Sequence, residues 1–153
     1  MTPVPKRITI LMADDDRDDC EMAREAITES RIANPFVCVS DGQELLDYLH
    51  RREPYGQAVL PGLVLLDLNM PRVEGRQALR EIKADPELRH IPVVILTTSS
   101  QEEDIYRTYH LGASSFITKP VTFEGLVAVM VGLHDYWFEI VRLPKAMEHR
   151  AEG

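Results

Sequence analysis

Five positions in this chain of 153 residues carry side chains that could act together on a phosphate: Asp14, Asp15, Asp67, Thr97 and Lys119. Each stands at the end of a short apolar or β-branched run. Asp14-Asp15 follow RITILM, Asp67 follows LVLL, Thr97 follows IPVVIL, and Lys119 follows Ser114–Thr118. Taken singly, each has an ordinary reading. Asp67 can cap the turn signalled by Asn69 and Pro71, Asp14 can cap a helix, Thr97 can be a strand-end hydroxyl, and Lys119 a solvated charge. Taken together they are costly to assemble, because like charges about 4 Å apart repel by roughly 4 kcal/mol at an effective dielectric of about 20. A divalent cation removes that cost. Hard oxygen ligands suit Mg²⁺, which keeps several waters and works beside phosphate oxygens. The set therefore reads as a metal-assisted phosphate site.

For this to hold, the five residues must reach one place. Continuous apolar runs such as Leu63–Leu66 suit strands buried on both faces of a parallel sheet, and such sheets bind ligands at their C-terminal edge. The pattern predicts strands over Arg7–Met12, Phe36–Val39, Leu63–Leu66, Ile91–Leu96 and Ser114–Thr118. Helices are predicted between them. One is capped by Asp16 and runs to about Arg31, its first turn a solvated acidic start with Asp18 and Asp19. The next opens on the Asp41/Glu44 pair, the third covers Gly75–Ala84, and the fourth runs from Ser100/Glu103 to Gly112. The last runs from Thr122 to about Val141. Residues 51–61 form a long connection before the third strand. Five alternations of strand and helix give an α/β class with a parallel sheet and helices on both faces.

Composition narrows the function. A net charge of −8 argues against a basic nucleic-acid surface. No apolar run approaches the roughly 20 residues that span a bilayer, and the start lacks a signal-peptide pattern, so a cytoplasmic protein is expected. Cys20 and Cys38 fit no metal spacing and are expected as two packed thiols in a reducing cytosol.

The acidic pair Asp14-Asp15, the LLDLNMP segment around Asp67, LTTS at Leu96–Ser99 and the Lys119-Pro120 dipeptide together resemble the receiver domain of two-component response regulators. The resemblance covers about residues 7–135. It implies a flavodoxin-like, doubly wound sheet of five parallel strands in the order 2-1-3-4-5 with five helices. It makes Asp67 the phosphoacceptor, charged by a sensor histidine kinase, in a signalling protein whose only chemistry is its own phosphotransfer and slow dephosphorylation. Asp15 would ligate Mg²⁺ directly, Asp14 partly through water, and Asn69 through its backbone carbonyl. Thr97 and Lys119 would bind the phosphoryl group, the lysine turned inward by a cis bond to Pro120. Phe116, three before the lysine, is either the family's switch aromatic, moving with Thr97, or simply a buried strand aromatic. The long loop before strand three, LTTS, and the tail with Trp137 and Leu143-Pro144 look like single-domain regulators paired with bacterial phytochrome kinases.

Other phosphate chemistries fit less well. A dehalogenase-type phosphatase needs its nucleophile on the first strand and a second acid two residues on, where Asn69 stands. A nucleotide-binding domain needs GxGxxG or GxxxxGK[ST], and neither occurs. Residues 1–6 read as a lead-in, 7–141 as the domain with an extended last helix, and 142–153 as a tail. The last helix carries surplus apolar residues at Trp137, Phe138, Ile140 and Val141. That surplus either folds back on the domain or, as favoured here, forms a symmetric homodimer together with Tyr106.

Overall fold

The computed structural model describes residues 8–98 and 102–136, with the backbone alone for residues 102, 103 and 106. Ten elements alternate: β1 (Ile10–Ala13), α1 (Arg17–Glu29), β2 (Phe36–Val39), α2 (Gly42–Leu49), β3 (Leu63–Leu66), α3 (Gly75–Ala84), β4 (Val93–Thr97), α4 (Glu102–His110), β5 (Ser115–Thr118) and α5 (Phe123–His134). All four strand pairings are parallel and the sheet order is β2-β1-β3-β4-β5.

The unbroken apolar runs have a simple cause. Side chains alternate across a strand, so each run supplies two cores at once. Leu11, Val64, Leu66, Val93 and Ile95 face one side and pack with Leu45 and Leu49 of α2 and Leu79 and Ile82 of α3. Ile10, Met12, Leu63, Leu65, Val94 and Leu96 face the other, against Ala23, Ala26 and Ile27 of α1 and Leu126, Met130 and Leu133 of α5. Burying one such side chain contributes roughly 1.5–3 kcal/mol. Two loaded faces therefore fix the register of the central strands, and with it the level at which their C-terminal residues emerge.

The caps read from the sequence form. Asp16 accepts from the Asp18 and Asp19 amides, Asp41 from Glu44 N at 2.7 Å, and Thr122 from Gly125 N at 3.0 Å. Glu44 accepts from Ser40 N at 2.6 Å, one residue before the cap, and so ties down the chain that enters the helix. The Ser100 end of the fourth helix lies outside the described residues. Strand one begins at Ile10, three residues later than expected, because Ile10 faces Phe36 and Leu63, where both neighbouring strands begin. The fourth strand begins at Val93, after Pro92, and extends one residue further to include Thr97.

The long connection from 51 to 61 is tied to α2. Tyr48 Oη donates to Val59 O at 3.1 Å, Tyr55 Oη to Glu44 Oε2 at 2.5 Å, and Arg51 Nε to Ala58 O at 2.9 Å. Among the described residues, no helix is long and apolar enough to cross a membrane.

Two expectations are corrected. Cys20 and Cys38 are not separate thiols: they are joined as a disulfide that links α1 to β2, 18 residues apart in sequence. The two positions come together because α1 packs over the sheet beside β1, to which β2 is paired. Among the described residues the cis peptide bond is Glu53–Pro54, and Lys119–Pro120 is trans. The lysine is drawn inward instead by carboxylates, as described below. The regular α5 ends at His134 with Asp135 as its cap. The expected continuation of the helix to Val141, with Trp137, Phe138 and Ile140, lies outside the described residues.

Candidate functional site

The C-terminal edge of the sheet collects the expected residues. Asp14 leaves β1, Asp67 leaves β3, Thr97 closes β4, and Lys119 follows β5, its amide donating to Thr97 O at 2.7 Å. Asp14, Asp67 and Thr97 are buried, at 1%, 6% and 0% exposure, whereas Asp15 is exposed. One carboxylate oxygen from each of Asp14, Asp15 and Asp67 lies within 4.8 Å of the others. That spacing lets a single cation touch all three.

Both oxygens of Asp67 are engaged. Thr97 Oγ1 donates to Oδ1 at 2.7 Å, and the Asn69 amide approaches the same oxygen at 3.4 Å. Lys119 Nζ stands 3.6 Å from Oδ2. The same ammonium lies 2.5 Å from Asp14 Oδ2 and 2.8 Å from Asp19 Oδ2. Asp14 Oδ2 is buried with this ammonium as its charged partner. Three carboxylates gathered within 4.8 Å of one another beside a single ammonium leave an excess of negative charge on hard oxygen ligands, which fits a divalent cation.

Electrostatics follow from this crowding. Burial raises Asp14 to a pKa of about 6, with Asp67 adding to the rise, against the opposing pull of Lys119 and the Asp16 amide. Burial also works against the charge on Lys119, but its contacts with Asp14 and Asp19, and the field of Asp67, outweigh that and hold it above its ordinary range. The two effects are compatible. The ammonium gains from three carboxylates at once, whereas Asp14 has one cation and no solvent.

The loop after β3, which carries Asn69, is held from outside the sheet. Arg72 makes a two-pronged contact with Asp41 at 2.9 and 3.0 Å and adopts a left-handed backbone, φ 66°. Gly42 and Gly75 let the loop lie close. A Cβ on Gly75 would meet Asp67 O at 2.3 Å, and one on Gly42 would meet Val73 O at 1.8 Å. Gly75 N donates to Leu68 O at 3.0 Å.

Phe116 is partly buried against the α2/α3 core, and its amide donates to Tyr109 Oη of α4 at 3.1 Å. Tyr106 lies on α4, and its side chain is outside the described residues. Sequence reasoning missed Asp19, read as solvated. The signal was present: Asp19 lies three and four residues before Met22 and Ala23, and so on the helix face that packs inward. It also missed the Asp41–Arg72 pair, 31 residues apart, for which no sequence signal exists.

The fold and this edge define a doubly wound α/β domain whose acidic cluster suits a cation and whose hydroxyl and ammonium suit a phosphoryl group. The chain belongs to the response regulator receiver domain family, which matches residues 10–131. It is similar to the response regulator Rcp1 of Synechocystis, 36% identical over 137 residues, covering 90% of this chain and 93% of that one. The crystal structure of Rcp1 in its Mn²⁺-bound form superposes with a TM-score of 0.82 at 35% identity, covering 90% of this chain and 99% of that one. The phosphorylated cyanobacterial phytochrome response regulator RcpA superposes with a TM-score of 0.86 at 37% identity, covering 92% and 100%. RPA3017, a response regulator in red-light signalling of R. palustris, superposes with a TM-score of 0.85 at 33% identity, covering 91% and 99%.

Proposed function

We propose that Asp67 accepts a phosphoryl group from the phosphohistidine of a sensor histidine kinase, with Mg²⁺ held by Asp14, Asp15, Asp67 and the backbone carbonyl of Asn69. The observation that carries this is the convergence of Thr97 and Lys119 on the two oxygens of one buried carboxylate, Asp67. One Asp67 oxygen attacks phosphorus. The P–N bond breaks, its electron pair goes to the imidazole nitrogen, and that nitrogen takes up a proton. Thr97 and Lys119 then bind the new phosphoryl oxygens, supplying a donor and a positive charge where negative charge collects. The cation, when bound, neutralises charge on the phosphoryl and carboxylate oxygens. Intact-mass measurement after treatment with a small phosphodonor and Mg²⁺ tests the assignment. One added phosphoryl group is expected on the wild type and none on Asp67→Asn. Equal labelling of both would remove Asp67 from the role.

The kinase is proposed to be of phytochrome type. Support comes from the likeness to RcpA and RPA3017 along nearly the full length of each. The output would be protein contact or onward transfer of the phosphoryl group, with Thr97 and Phe116 as the moving pair. Selective transfer from a phytochrome kinase over an unrelated histidine kinase, at equal kinase concentration, is the expected result. Equal rates would leave the pathway unassigned.

A homodimer is proposed through the apolar positions Trp137, Phe138, Ile140 and Val141 together with Tyr106. The described part of α5 supports an open face, since Val131 is 39% exposed. Light scattering at micromolar concentration should give twice the monomer mass, and Trp137→Ala should reduce it. A wild-type monomer would overturn the dimer.

A further inference from the structure

Lys119 is the cation available to a phosphoryl group on Asp67, yet it stands closer to Asp14 and Asp19 than to Asp67. Asp19 differs in kind from the other acids. It belongs neither to the strand ends nor to the three-carboxylate cluster, but to the first turn of α1. There the positive end of the helix dipole favours its charge. Its carboxylate accepts a 2.8 Å hydrogen bond from Lys119 Nζ across 100 residues of sequence. The lysine is only 11% exposed, while the Asp19 side chain is 33% exposed, so Asp19 draws the ammonium toward solvent and away from Asp67.

We propose that Asp19 is a positioning residue that holds Lys119 in reserve and sets how readily the ammonium is delivered to a phosphoryl group on Asp67. The proposal rests on the phosphoacceptor reading of Asp67. Lys119 Nζ stands 2.8 Å from Asp19 Oδ2 and 3.6 Å from Asp67 Oδ2, so moving toward a phosphoryl oxygen on Asp67 lengthens the Asp19 contact, and the strength of that contact opposes the bound state.

Beryllofluoride, which forms an acyl-phosphate-like adduct on an aspartate, is the probe, titrated at saturating Mg²⁺ on the full chain. Asp19→Asn should bind it about three- to tenfold more tightly, the fold-change of one partly solvent-screened hydrogen bond that no longer competes. Asp19→Glu keeps the charge and the acceptor and should return affinity toward the wild type. Asp18→Asn removes the same charge one residue away from an exposed side chain with no lysine contact, and should leave affinity unchanged. Equal tightening by Asp18→Asn and Asp19→Asn would show a general charge effect and overturn the positioning role. No change in Asp19→Asn would overturn it directly. Failure of the wild type to bind the probe, while Asp67→Asn behaves identically, would instead sink the phosphoacceptor reading and this proposal with it.

Discussion

Thr97 donates its hydroxyl proton to Asp67 Oδ1 at 2.7 Å, and neither residue is open to solvent. The hydroxyl that would hold a phosphoryl oxygen is therefore already committed to the carboxylate. A buried carboxylate oxygen deprived of its donor carries the full cost of its own desolvation. Thr97→Val, nearly the same shape without the hydroxyl, is expected to lower stability by about 1–3 kcal/mol in urea denaturation. Thr97→Ser, which keeps the donor, should lose less. A Thr97→Val protein as stable as the wild type would show that this hydrogen bond contributes nothing net.

Asp14 gives a pH dependence with a definite sign. Its pKa is about 6 in the folded protein against an ordinary 3.8. Between those values the folded state keeps a proton that the unfolded chain has released, so unfolding releases it and stability falls as pH rises. The contribution is fully present below pH 3.8 and is lost as pH climbs through about 6. The upper bound on the loss is about 3 kcal/mol. In chelator, the melting temperature of wild type relative to Asp14→Asn should therefore decline across that window. A difference that stays flat from pH 4 to 7 would mean Asp14 ionises freely.

Gly75 is expected to tolerate no side chain. The Cβ of Gly75→Ala would stand 2.3 Å from Asp67 O and 2.6 Å from Leu68 Cα, both backbone atoms that cannot swing aside. The change should cost about 1–3 kcal/mol and weaken divalent-cation binding by shifting the loop that carries Asn69. Gly132→Ala in α5 is the control. Nothing lies within 4 Å of its Cβ, and a gain of about 0.4–1 kcal/mol is expected. Unaltered cation affinity in Gly75→Ala would separate that loop from the site.

Lys119→Met should separate the roles of the ammonium. Without it, Asp14 and Asp67 face each other uncompensated, and cation-free stability should fall by about 3–5 kcal/mol. Mg²⁺ affinity should rise, because a competing cation has gone. Isothermal titration in parallel with thermal melts reads both. Weaker Mg²⁺ binding in Lys119→Met would contradict the competition.

The strand ends were legible because burial on both faces writes itself into the sequence as short unbroken apolar runs, and Asp14, Asp67 and Thr97 follow such runs directly. Helix starts were legible at Asp16, Asp41 and Thr122 because caps are local chemistry. Contacts set by packing were not legible. The spacing of Asp19 from Met22 and Ala23 marks it as inward-facing, but does not show that it meets Lys119. That contact follows from α1 and the β5–α5 connection sharing one end of the sheet, and the Cys20–Cys38 bond depends on how α1 lies over β2. The Lys119–Pro120 bond was expected to be cis by resemblance, yet the buried carboxylates of Asp14 and Asp67 are enough to bring the lysine inward. Sequence pattern reports what an element needs from its own surroundings, not which distant side chain arrives beside it.

The hydrogen bond from the Phe116 amide to Tyr109 Oη has a consequence for solubility. β5 is the last strand of the sheet, and its free side offers backbone donors to any extended chain that drifts alongside. The tyrosine oxygen occupies one of those donors midway along a strand of four residues. A strand so short, with its central outward amide already taken, is a poor template for intermolecular pairing, so the border of the sheet does not invite aggregation.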